Sequence, residues 1–179
     1  MRNLFLAALL AGTVAATAHA EVYDDKSFPI YFRTPDGFTI RPSTKAGYDL
    51  GLDIAPPADY PGLVAGESRL CGVYFKAARS GEGQQWLNGR WKDQAVLASV
   101  RESVGRIMEV KSEKTFALGD VTGMEFVGPV KQDPTAVLAM SMLNTPRGGL
   151  QLTCIVRATQ ADTVLPVIHS IRDTIRPPK

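Results

Sequence analysis

The chain has 179 residues, 45% of them hydrophobic and 21% charged, and its 20 Lys and Arg against 18 Asp and Glu give a formal net charge of +2. That length is one domain of ordinary size, with enough chain to bury a real core and no need to be a disulfide-stapled mini-protein. Near-neutral charge with both signs interspersed removes the electrostatic case for nucleic acid or an anionic membrane as partner.

In chain order, residues 1 to 20 read as a secretory signal. Arg2 precedes an apolar run from Leu4 to Leu10, small residues continue to Thr17, and Ala18-His19-Ala20 forms an A-x-A cleavage site. The run is too short and too rich in alanine to favour a permanent membrane span, and no later segment is long and apolar enough for one. The expected mature chain therefore begins at Glu21 as a single soluble, exported domain over 21 to 179, in the periplasm or the medium. Loss of Arg2 lowers its formal charge to +1.

Residues 29 to 42, "PIYFRTPDGFTIRP", predict two short strands around a Pro35-Asp36-Gly37 turn. A strand over 48 to 54 follows, and then a proline- and glycine-rich loop, "APPADYPGLVAGES", from 55 to 68. A loop of that length in a compact domain is functional or packed on itself. Its "ADYPGL" segment is expected to display Tyr60 and Leu63 to a partner. A strand over 70 to 77 runs into Ser80-Gly81-Glu82-Gly83. That stretch lacks the Lys-Ser/Thr of a phosphate-binding loop and is read as a strand-to-helix connection.

The longest helical pattern spans 84 to 107, with Leu97, Val100, Val104 and Ile107 at helical spacing. Trp86 and Trp91 cannot share one narrow stripe, so one belongs to the core and the other to a rim. Extended segments over 109 to 118, 121 to 130 and 136 to 144 precede a turn at 146 to 149 and a strand, "GLQLTCIVRAT", over 149 to 159. The final helix, 161 to 175, places Val164, Val167, Ile168, Ile171 and Ile175 on one face and stops at Pro177-Pro178. Strands, a helix, a run of hairpin-linked strands and a second helix predict an α+β sandwich, a mostly antiparallel sheet flanked by two main helices.

The stretches "YFRTPDGFTIRP", "FALGDVTGMEFVG" and "GLQLTCIVRATQADTVLPVIHSIRDTIRP" resemble the PsbP-like superfamily, which includes the extrinsic photosystem II subunit and small exported bacterial proteins. The resemblance rests on pattern and element order across most of the mature chain. It implies a central antiparallel sheet with flanking helices and an accessory or binding role without a shared catalytic constellation. No functional residue carries over from it.

The residues that could carry chemistry are few. His169 is the one histidine of the expected mature chain, and no G-x-S-x-G elbow accompanies it, so a hydrolase site built around it is the alternative reading and not the main one. Cysteine and histidine are too few and too scattered for structural zinc. Met140-Ser141-Met142 resembles the thioether pairs of exported copper carriers, yet both methionines alternate with Leu138 as core filler would. Asp49, Asp53 and Asp59 lack the dense spacing of a calcium loop. No cofactor is expected; the expected partner is an unidentified protein or small ligand of the bacterial cell envelope.

Cys71 and Cys154 each alternate with apolar residues and so face the core, where a thiol is a poor nucleophile. An exported compartment and an even count favour one Cys71–Cys154 bridge, with two reduced core cysteines as the alternative.

Overall fold

A computed structural model describes residues 19 to 25, 27, 28 and 30 to 178. Most of the segment read as a signal lies outside the described residues. Two strands, β1 (Ala20–Asp25) and β2 (Ile30–Asp36), form an antiparallel ribbon. The chain continues through β3 (Thr39–Ser43), β4 (Leu50–Ala55) and β5 (Cys71–Ala77) to helices α1 (Gln84–Gly89) and α2 (Gln94–Gly105). After them come β6 (Ser112–Leu118), β7 (Val121–Val130), β8 (Asp133–Thr145), β9 (Gly148–Arg157) and helix α3 (Ala161–Thr174). Strands β3 to β9 make one antiparallel sheet in the order β3-β4-β5-β9-β8-β7-β6. This is the α+β architecture expected from the element order, and among the described residues no helix is long and apolar enough to cross a membrane.

Period-two alternation decides which side of the sheet is covered by what. Leu52 and Ile54 of β4, Cys71, Val73 and Phe75 of β5, and Leu150, Leu152, Cys154 and Val156 of β9 share one face. They pack against Val164, Ile168 and Ile171 of α3 and against Ile30, Phe32 and Phe38 from the ribbon and its exit. On the opposite face, Met124, Phe126, Leu138 and Met140 pack under Trp91, Leu97, Val104 and Met108. The cluster under α2 is built from β7 and β8, with Ile155 of β9 at its edge. The β3-β4-β5-β9 side carries Tyr74, Gln151 and Thr153 in register.

Two expectations change. The Pro35-Asp36-Gly37 turn forms, with Phe38 N–H donating to the Pro35 carbonyl at 3.2 Å and Gly37 at a φ of 81°. It does not close a hairpin, because β2 pairs with β1 and β3 pairs with β4. The turn passes the chain from the ribbon to the main sheet, and burial of Phe32 and Phe38 in the α3-side core holds it there. The predicted single helix over 84 to 107 is broken by a short 3-10 turn at Arg90–Lys92. Asp93 then restarts it as the N-cap of α2, its carboxylate accepting from the N–H groups of Ala95 at 2.8 Å and Val96 at 3.4 Å. The break lets Trp91 turn inward at 6% exposure while Trp86 stays out at 51%, and it leaves Ile107 at 44% beyond the helix end.

The ribbon also grips the end of α3. Thr174 Oγ1 accepts from Arg33 N–H at 2.9 Å and donates to the Arg33 carbonyl at 3.0 Å, and Tyr31 and Arg176 exchange backbone hydrogen bonds.

Candidate functional site

The two cysteines lie directly opposite each other on neighbouring strands, Cys71 of β5 against Cys154 of β9, and they are joined in a disulfide. Ile155 N–H donates to the Leu70 carbonyl beside them, which makes 71/154 a non-hydrogen-bonded pair, the position where side chains of antiparallel strands approach most closely. Both residues are at most 1% exposed, so the bridge is a core element. Met140 and Met142 occupy the α2 side of β8 with Leu138, and Met140 is buried among Trp91, Phe126 and Met108. Their thioethers are spent on packing. Asp53 pairs with Arg69 at 2.9 Å, Asp49 accepts from Ala77 N–H at 2.7 Å, and Asp59 is exposed, so the three aspartates do not converge.

His169 does find a carboxylate. Its Nε2 lies 3.0 Å from Glu125 Oε1, and since a carboxylate only accepts, Nε2 carries the proton. Glu125 Oε2 accepts from Arg172 Nη1 at 2.8 Å and from Ser141 Oγ at 3.0 Å. This is a constellation of serine, histidine and carboxylate in which the carboxylate stands in the middle. A nucleophilic site needs the histidine to take the serine proton, whereas here Ser141 gives its proton to Glu125 and is 4% exposed. The arrangement ties α3 to β7 and β8 through a carboxylate that is 5% exposed, and the Arg172 guanidinium also stacks over the Phe116 ring at 4.7 Å. Removing one partner of such a buried pair typically costs about 3–5 kcal/mol, which makes the cluster a structural lock.

Sequence reasoning missed Glu125 and Arg172. The signal was present: "GMEFVG" sets a charge at a position whose neighbours two residues away, Gly123 and Val127, face the α3 core. His169 and Arg172 stand three apart, on one side of a helix.

The loop between β4 and β5 is irregular but pinned. Tight turns close at Tyr60, Leu63 and Glu67, Arg157 N–H donates to the Gly62 carbonyl at 2.9 Å, and Arg157 Nη2 donates to the Leu63 carbonyl at 3.1 Å. A Cβ on Gly62 would meet Val164 at 2.6 Å, so the loop lies directly on α3. Tyr60 is half-buried: its ring meets Phe38 edge-on at 5.2 Å, and burial pushes its phenol above the usual tyrosine range. Leu63 and Val64 remain half-buried. Val64 and Ala65 form one lip of a cleft of about 560 Å³ whose other walls include Pro134, Arg157 and Ala158.

The sequence matches no protein-family model and no curated protein. Its architecture is similar to that of the solution structure of cyanobacterial PsbP (CyanoP) from Synechocystis, with a TM-score of 0.58 at 10% identity over 94% of this chain and 97% of that one. The fold is PsbP-like. The Ran-binding protein Mog1p of Saccharomyces cerevisiae gives a TM-score of 0.49 at 12% identity, covering 89% of this chain and 96% of that one. PA94, a Pseudomonas aeruginosa protein of unknown function, gives 0.46 at 8%, covering 90% and 99%. At these identities the likeness is one of backbone architecture, and it brings no site residue across. Within the PsbP-like frame the disulfide, the Glu125 lock and the pinned loop are therefore read from this chain's own side chains.

Proposed function

We propose that the protein is an exported, non-catalytic accessory or binding protein of the bacterial cell envelope that meets a protein partner through the β4–β5 loop. The observation that carries the reading is the loop itself: a long irregular segment held in one shape by Gly62, Arg157 and Tyr60, with an apolar lip at Leu63, Val64 and Ala65 beside a cleft. A preformed loop binds without the ordering cost that a flexible one incurs. Export is supported by the signal pattern of residues 1 to 20 and by a core disulfide, a bond that persists in oxidising compartments. The PsbP-like resemblance supports the accessory character.

Tyr60 is unsuitable for testing the loop, because its ring is part of the packing. Leu63→Ala with Val64→Asp changes only the lip. In crosslinking from intact cells, the wild type is expected to give a discrete adduct in the periplasmic fraction, and the double variant to lose it while unfolding at an unchanged temperature. Equal adduct in both, or a wild-type protein retained in the cytoplasm with its first twenty residues, would overturn the reading.

A further inference from the structure

The β3-β4-β5-β9 side of the second sheet face carries half-buried donors with hydrogen-bonding capacity left over among the described residues. Lys45 follows β3, and its Nζ lies 4.1 Å from the centre of the Tyr74 ring and 4.9 Å from that of Tyr48. Among the described residues Lys45 Nζ makes no hydrogen bond and no ion pair. Burial, and then the neighbouring Arg69 guanidinium, push the Lys45 ammonium below the usual lysine range. Among the described residues Arg69 donates from Nη1, to Asp53 Oδ1 at 2.9 Å and to Tyr74 Oη at 2.8 Å, and not from Nε or Nη2.

A third donor stands beside these two. Tyr48 O–H donates to Gln151 Oε1, and Gln151 Nε2 donates to Thr153 Oγ1 at 2.7 Å. Since Thr153 Oγ1 accepts in that chain, its own proton is left to point elsewhere. Lys45, Arg69 and Thr153 all line one cleft of about 290 Å³, at the small end of ligand pockets. Leu138 and Ile155 supply an apolar wall.

We propose that this cleft is a binding site for a small organic monocarboxylate with an apolar body, its carboxylate received by Lys45, Arg69 and Thr153 and its body lying on Leu138 and Ile155. Three side chains that line one cleft with N–H or O–H groups to spare call for an acceptor-only group, and a carboxylate is one. The charge is limited to one unit. Asp53 and Glu67 both act on Arg69, which leaves Lys45 as a cation of this cleft with no ion pair among the described residues. A dianion would face both carboxylates. The aromatic faces under Lys45 keep its ammonium in place while shielding it from water, so the attraction is stronger than at an open surface. Glu67 and Arg69 stand at the far end of the β4–β5 loop, but none of the cleft's residues belongs to the lip at 63 to 65, so the two sites can be altered separately.

The test is a two-dimensional amide NMR titration of the protein with benzoate as probe, and with benzamide and inorganic phosphate as comparison probes. Benzoate is expected to give saturable shifts centred on Lys45, Arg69 and Thr153; benzamide, of the same shape without the charge, and phosphate, an anion without the body, are expected to bind at least ten-fold more weakly. Lys45→Met keeps the packed stem and removes the charge, and it is expected to weaken benzoate binding at least ten-fold, while Lys45→Arg keeps saturable binding. Thermal unfolding of both variants checks that the fold is intact. Equal binding of benzoate and benzamide, equal binding of phosphate, or wild-type affinity in Lys45→Met would each overturn the proposal, and none of these results bears on crosslinking through the loop.

Discussion

Single side chains in this protein show their environment most clearly through titration. The phenol of Tyr23 is pushed up to about 12, first by burial and then by its hydrogen bond to Asp25 at 3.1 Å and the charge of that carboxylate. Burial is also the first cause that raises Tyr48, Tyr60 and Tyr74. Below about pH 10, the ordinary tyrosine value, folded and unfolded chains both keep these protons and the contribution to stability is complete. Above that pH the unfolded chain gives up protons that the folded one retains, so stability falls through about pH 10 to 12. Lys45 acts in the opposite sense, since its depressed value penalises the folded state while both states are charged and releases that penalty as pH approaches 10.5. Tyr23 carries the large shift, and the denaturation midpoint is expected to drop over that interval. Phenolate absorbance should rise at higher pH in the native protein than in denaturant. Coincident native and denatured curves would show that the phenols are not held as the structure places them.

At the scale of elements, legibility followed how local the deciding force is. Strand β9 was readable within a few residues because its burial alternates along nearly its whole length, and β7 and β8 because they are long apolar runs buried on both faces between turn signals. The face of α3 was readable as β9 was, at helical period. The partner of β2 was not, because the Pro35-Asp36-Gly37 turn fixes a reversal without fixing which strand receives the chain, and that choice is made by burial of Phe32 and Phe38 far from the turn. The break between α1 and α2 was hidden because Arg90, Trp91 and Lys92 suit a helix as well as a 3-10 turn, and inward rotation of Trp91 decides between them. Of the candidate site, Cys71 and Cys154 were legible, whereas Glu125, Arg172, Lys45 and Arg69 were not. Their meaning lies in partners remote along the chain, as with Glu125 and Arg172, 47 residues apart. Asp93 gives the broken helix its restart, and Asp93→Ala leaves the Ala95 and Val96 N–H groups without that acceptor. Loss of a cap of this kind costs about 1 kcal/mol. Urea denaturation is expected to show that loss at an unchanged m-value, and a change below a few tenths would mean that water caps α2 equally well.

For the whole molecule, the decisive link is the bond between the two strands in the middle of the fold. β5 and β9 are sheet neighbours separated by both helices and three strands of sequence, and Cys71 and Cys154 are 83 residues apart. Without the bond, their pairing must close that loop from the open chain. The chain-entropy account assigns about 4–5 kcal/mol to constraining such a loop in the unfolded state, against a typical total of about 5–15 kcal/mol. The reduced thiols would remain buried on one apolar face, so the native packing has little reason to change and the effect falls on the unfolded ensemble. That gives reduction a signature distinct from a core mutation. The unfolding free energy is expected to fall by about 4–5 kcal/mol while the m-value rises, because an untethered chain exposes more surface. Mass spectrometry should register the same step as a gain of about 2 Da. A fall in stability at constant m-value would place the energy of the bond in native contacts instead, and β5–β9 pairing would then have to be strong enough to form without the tether.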